Sequence, residues 1–199
     1  MEEEKIEQLQ IESHNNSFHS FGKAYLFEKR ARHYNKLINW LTVLGIIVPV
    51  SIGATVLGYG IDNNFLKILI AVAIPVSILQ LIISIVSVVY KWSDELSYAN
   101  ESAQEHYFLC DRFKKLGRFP PDNFRDADHS FEIINTRQKA REEQDSKHNI
   151  KDWEFRMGMR YALREYKKEC IGCGEIPKSM DYSDCPVCGK YKNRLIDRL

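Results

Sequence analysis

The chain has 199 residues, with 28 Lys and Arg against 27 Asp and Glu, and a formal net charge of +1 at pH 7. That balance excludes a chain that holds nucleic acid by bulk positive charge. Mean hydropathy is slightly negative, but the average hides two uncharged apolar runs, outside which roughly 150 residues remain, enough for one modest soluble domain.

Residues 1–36 are polar and charged and begin Met1-Glu2-Glu3-Glu4-Lys5. They predict a cytoplasmic, mostly helical N-terminal segment with a polar break at Ser13-His14-Asn15-Asn16-Ser17. No cleaved leader is expected, because the first apolar run comes late and is too long for a signal h-region. From Phe18 onward aromatic and basic residues alternate, with Phe21, Tyr25, Phe27 and Tyr34 in the aromatic set. Such a helix either lies on the inner leaflet or packs against the other cytoplasmic helices.

Residues 37–61 and 68–90 contain no Asp, Glu, Lys, Arg or His. At about 1.5 Å per residue each run can cross a hydrocarbon core of roughly 30 Å. Six residues separate them, so residues 37–90 are predicted to form a transmembrane hairpin. Lys23, Lys29, Arg30, Arg32 and Lys36 crowd the approach, and Lys91 follows the second run. Basic residues beside spans mark the cytoplasmic side. Both termini are therefore expected in the cytoplasm, and the turn outside. Trp40, Tyr90 and Trp92 would anchor the inner interface, and Tyr59 and Phe65 the outer one.

Ser77, Gln80, Ser84 and Ser87 fall at helical spacing along one face of the second run. Thr42, Gly45, Pro49 and Gly53 form a small-residue face on the first. Two readings of the polar stripe stand: it joins the two helices to each other, or it lines a seam or aqueous path in an oligomer. Pro49 and Pro75 interrupt the two runs near their middles. Neither run holds an acidic, basic or histidine side chain, which removes support for a proton relay.

The second run is expected to continue into a long cytoplasmic helix through about Leu116, with Trp92, Leu96, Ala99, Ala103 and Cys110 on one face. Gly117, Pro120 and Pro121 would end it. Further helices are predicted from about Asp126 to His148 and from Lys151 to Glu169, with the polar stretch Arg137–His148 solvated. Residues 91–169 thus read as a cytoplasmic helical domain. Glu28, Glu95 and Glu132 read as helix-face charges, and no nucleophile elbow, phosphate loop or HExxH pattern occurs. The chain is not expected to be an enzyme.

Residues 170–199 carry Cys170-Ile171-Gly172-Cys173-Gly174 and, eleven residues after Cys173, Cys185-Pro186-Val187-Cys188-Gly189. Two CxxCG turns can present four thiolates at about 2.3 Å to one Zn²⁺, closing a tetrahedron with no open position. One structural Zn²⁺ per chain is predicted, in a small ribbon whose spacer is long enough for a β-hairpin. A cytoplasmic site keeps these thiols reduced, and Cys110 reads as a buried helix residue. Lys190, Lys192, Arg194 and Arg198 make the tail basic. It would contact a protein partner, with nucleic acid the lesser alternative.

The spacing of Cys170, Cys173, Cys185 and Cys188 after a two-span hairpin resembles the bacterial mobilome CxxCx(11)CxxC proteins. The stretch from Lys29 through the hairpin to Leu116 looks like a SLATT-type two-transmembrane effector domain. That resemblance implies an all-α membrane effector of a prokaryotic conflict system. Such a protein would oligomerise and permeabilise or depolarise the inner membrane when a sensor or regulatory protein encoded nearby detects invasion. The other expectation is a membrane-anchored zinc-ribbon adaptor that recruits a protein or nucleic-acid partner.

Overall fold

A computed structural model describes residues 2–60 and 64–191. The described residues form five helices: α1 (Glu2–Tyr59), α2 (Asn64–Val89), α3 (Trp92–Arg118), α4 (Phe124–Asp145) and α5 (Asp152–Tyr166). Among the described residues there is no strand. The chain divides into two compact units, one formed by the chain up to Lys29 and from Ala99 onward, the other by Arg30–Tyr98.

In the first unit the expected break at Ser13–Ser17 does not occur, and α1 runs through it. Ser13, Ser17, Ser20 and Ala24 are buried at spacings of three and four, so they share one face. Small side chains there let neighbouring helices approach, and Ser17 Oγ bonds the Tyr166 hydroxyl at 2.9 Å. The aromatic residues from Phe18 onward pack inward: Phe18 and Phe27 are buried, and Phe21 stacks on Tyr161. Leu9, Leu109, Phe113, Leu116, Ala127 and Phe131 form an apolar core between α1, α3 and α4.

The chain does not run helically from α2 into α3 as the sequence suggested. It passes through Tyr90 and Lys91, and Lys91 takes a left-handed φ of 50°. A new helix is favoured there because Asp94 and Glu95 lie in its first turn, where carboxylates meet the positive end of the helix dipole. Asn123 starts α4 by accepting the Arg125 amide at 2.9 Å. Glu154 starts α5 by accepting the Lys151 amide at 2.9 Å. That helix ends on Lys167 at φ 51°, with Lys168 N–H bonding Leu163 O at 3.0 Å, a Schellman closure.

The stretch Arg137–His148 is not simply solvated. Gln138, Arg141 and Asp145 are buried because their spacing turns them together toward α3. Asp145 accepts from Ser102 Oγ at 2.8 Å and meets His106 Nε2 at 2.6 Å. Arg141 Nη1 reaches Glu101 at 2.7 Å. His106 is 0% exposed, and its ring stacks on Phe27. Burial alone would make such charges costly; mutual pairing offsets it.

The second unit contains the two apolar helices. Only 6% of the most apolar stretch of each is buried, and both are long enough to cross a membrane. Leu41, Leu44, Val48, Ser51 and Thr55 of α1 are shielded, as are Leu66, Leu69, Ala73, Val76, Gln80, Ile83 and Ser87 of α2. Alternating steps of three and four residues are the pattern of a two-helix seam. Thr42, Gly45, Pro49 and Gly53 are exposed, so the small-residue face of the first helix points mainly outward.

Candidate metal centre

Beyond α5 the chain forms two tight turns. Gly174 N–H closes the first onto Cys170 O at 2.7 Å, and Gly189 N–H closes the second onto Cys185 O at 2.9 Å. The two glycines serve different needs. Gly174 has a φ of +70° with open space around it, so its backbone conformation excludes most other residues. A Cβ at Gly189 would stand 2.1 Å from Ser183 O, so there only the absence of a side chain allows the turn. The spacer does not form the expected β-hairpin. Pro177 lacks an amide for a ladder, and the Tyr191 hydroxyl instead gathers Met180 O at 2.5 Å and Asp181 O at 3.1 Å.

The four Sγ atoms lie within 4.8 Å of one another, with Cys170–Cys185 at 3.8 Å and Cys173–Cys188 at 3.9 Å. A tetrahedron with metal–sulfur bonds of about 2.3 Å has edges of about 3.8 Å. A disulfide needs about 2.05 Å, and all four are free thiols. This donor set suits a soft tetrahedral ion such as zinc or iron. The Cys188 and Val187 amides lower the Cys185 thiol to about 7, overcoming burial, which acts upward. Burial pushes the Cys188 thiol up, reinforced by Cys170 and Cys185.

The cysteines are part of a core, not an appendage. Cys170, Cys185 and Cys188 cluster with Phe18 of α1 and Ala162 and Leu163 of α5. Cys173 is exposed. Arg160 of α5 reaches under the site. Its Nε donates to Ser179 O at 2.8 Å, and its Nη1 lies 3.1 Å from Ser183 Oγ, 3.5 Å from Cys188 O and 3.9 Å from Cys188 Sγ.

The mobilome CxxCx(11)CxxC protein family model matches residues 10–191. The chain belongs to that family. No curated protein and no solved structure matches it. The four cysteines that carry the family's spacing are the ones brought together at this site.

The polar stripe on α2 has a mixed placement. Ser77 is exposed, whereas Gln80, Ser84 and Ser87 are half-buried. Gln80 Nε2 donates to Leu41 O at 3.4 Å and lies 2.8 Å from where a Gly45 Cβ would be. Cys110 is buried as expected, beside Ser17 at 3.5 Å and Tyr166 at 3.4 Å. Burial raises the Tyr166 phenol to about 12, with the bond to Cys110 adding to the rise. Sequence reasoning missed Arg160 and the Ser102–His106–Asp145–Arg141 group. Arg160 lies ten residues before Cys170 in a helix full of charges, and nothing in its local pattern separates it from them.

Proposed function

We propose that this protein is a membrane effector of a bacterial antiphage system of the abortive-infection type. Its two apolar helices insert into the inner membrane with both termini in the cytoplasm. On activation the hairpins oligomerise and depolarise the cell. The observation that carries the membrane reading is the uncovered apolar surface: Leu57 is 90% exposed and Val88 77%, and a soluble protein rarely leaves so large an apolar patch uncovered. The SLATT resemblance supplies the effector role. The four-cysteine centre binds one structural Zn²⁺, which stabilises the cytoplasmic unit. A sensor or regulatory protein encoded nearby provides the trigger.

The alternative is an anchored adaptor, whose metal-bearing unit recruits a protein or nucleic acid. The Gln80–Leu41 contact favours it, since it turns the largest polar group of α2 toward α1 instead of an open seam. Membrane-potential imaging during phage infection separates the two. An effector depolarises infected cells before lysis, whereas an anchor leaves the potential unchanged. Reporter fusions at both termini should read cytoplasmic, and a periplasmic C-terminus would overturn the topology.

A further inference from the structure

Arg160 is 9% exposed. A guanidinium stays charged at all ordinary pH values, so burying one requires a compensating anion or a full set of acceptors. Elsewhere in this unit that requirement is met by carboxylates: the buried Arg141 pairs with Asp145 and Glu101. Arg160 forms no ion pair with any carboxylate among the described residues. Its partners are Ser179 O, Ser183 Oγ, Cys188 O and Cys188 Sγ. All belong to the loop that carries the cysteines.

Neutral thiols or disulfides would leave this buried cation without a counter-charge among the described residues. A divalent metal held by four thiolates leaves the cluster a net dianion, and Cys188 Sγ is then a charged acceptor for Nη1. From the buried cation beside the four-thiol cluster, we infer that Arg160 is a positioning residue of the metal centre. It supplies the counter-charge to the metal-bound thiolates and ties the middle of the spacer, at Ser179, and its second end, at Ser183, to α5. The inference rests on the four cysteines holding a metal.

The same contacts set the direction of the effect. Groups outside the ligand set that bond to ligands commonly change metal affinity about 10–100-fold. A donor to a thiolate withdraws electron density from sulfur, so it also shifts the sulfur-to-metal charge-transfer band. A residue that only fills space would leave that band where it is.

The test uses the full chain in detergent, loaded with Zn²⁺ or with Co²⁺ as a spectroscopic probe. R160Q removes the charge, R160K keeps a cation with fewer donors, and R164Q changes an arginine of the same helix that pairs with Glu165. In R160Q, Zn²⁺ transfer to a chelating dye should be about tenfold faster or more, and the cobalt charge-transfer band should shift. R160K should fall between R160Q and the parent, and R164Q should match the parent. R160Q with the parent's helical content, transfer rate and cobalt band would overturn the inference. If R160Q does not fold, R160K decides, and parental values for its band and rate overturn it. A parent chain that binds neither metal overturns the metal reading itself, which is a different result.

Discussion

A Cβ placed on Gly158 would stand 2.4 Å from the carbonyl oxygen of Gly22, so α1 and α5 meet there backbone against backbone. This close crossing brings Phe18 of α1 into the cluster with Ala162, Leu163 and the cysteines. The neighbour of the missing Cβ is backbone, which cannot swing aside. Gly158→Ala should therefore destabilise the first unit by about 1–3 kcal/mol, the usual range for overpacking. Gly22→Ala should cost less, since its Cβ would lie 3.0 Å from Gly158 O. Thermal melts of both variants test this order, and equal melting temperatures for Gly158→Ala and the parent would sink it.

Metal should be recoverable from the purified protein at about one zinc per chain, because four thiolates complete the shell. Cys170→Ser with Cys173→Ser removes one turn's ligands and should abolish binding. Cys170 is 1% exposed and packs with Phe18 and Leu163, so metal loss should also lower the stability of the first unit. Elemental analysis and a melt with and without chelator measure both effects. Stoichiometric iron in place of zinc would correct the metal assignment while keeping the site.

Helix existence and the cysteine site were legible from sequence because each rests on local signals: apolar run length, proline and glycine stops, and a fixed ligand spacing. The helices predicted from about Asp126 and Lys151 are present as α4 and α5, with ends shifted by a few residues. Features that depend on burial were not legible. Ser13–Ser17 has turn-like composition, yet its serines are small enough for a helix face packed against other helices. Arg141 and Asp145 sit in a polar run, and only the arrangement of α3 beside α4 makes them interior. Lys91 has no glycine to advertise its left-handed turn.

Asp145 should be the most sensitive polar position outside the metal centre. Its carboxylate meets Ser102, His106 and Arg141, so truncation leaves three buried polar groups short of an acceptor. Asp145→Ala should cost about 3–5 kcal/mol, the range for breaking a buried ion pair. Chemical denaturation of the variant tests it. A loss below about 1 kcal/mol would mean that water satisfies these groups in its place.

Acid should weaken the first unit partly through Glu142. Burial acts to raise this carboxyl, but bonds from Lys23 and Gln138 outweigh it and hold it below its ordinary 4.5. A carboxyl depressed in the folded state contributes stability above its unfolded value and loses it as pH falls through the folded one. Glu142→Gln should therefore flatten the decline in stability below about pH 4.5 and lower stability slightly at neutral pH. An unchanged acid slope in the variant would remove Glu142 from this role.

Gln80 is the position that tests which face of the hairpin the proposed effector would use. It is half-buried and donates to Leu41 O at 3.4 Å, so it belongs to the seam between α1 and α2. Leucine at that position is favourable in lipid, and Gln80→Leu should insert normally. Hydrogen bonds between membrane helices average about 0.6 kcal/mol, which changes a population by only about threefold. On the proposed effector reading, depolarisation at matched membrane levels should thus stay within about threefold of the parent's. Ser77→Leu alters the exposed member of the same stripe and should have the larger effect if outward faces assemble the active state. Dye-reported depolarisation of both variants during triggering compares them directly. Abolition by Gln80→Leu alone would show that the hairpin opens on activation and turns Gln80 toward a shared path, reversing the order expected from the resting seam.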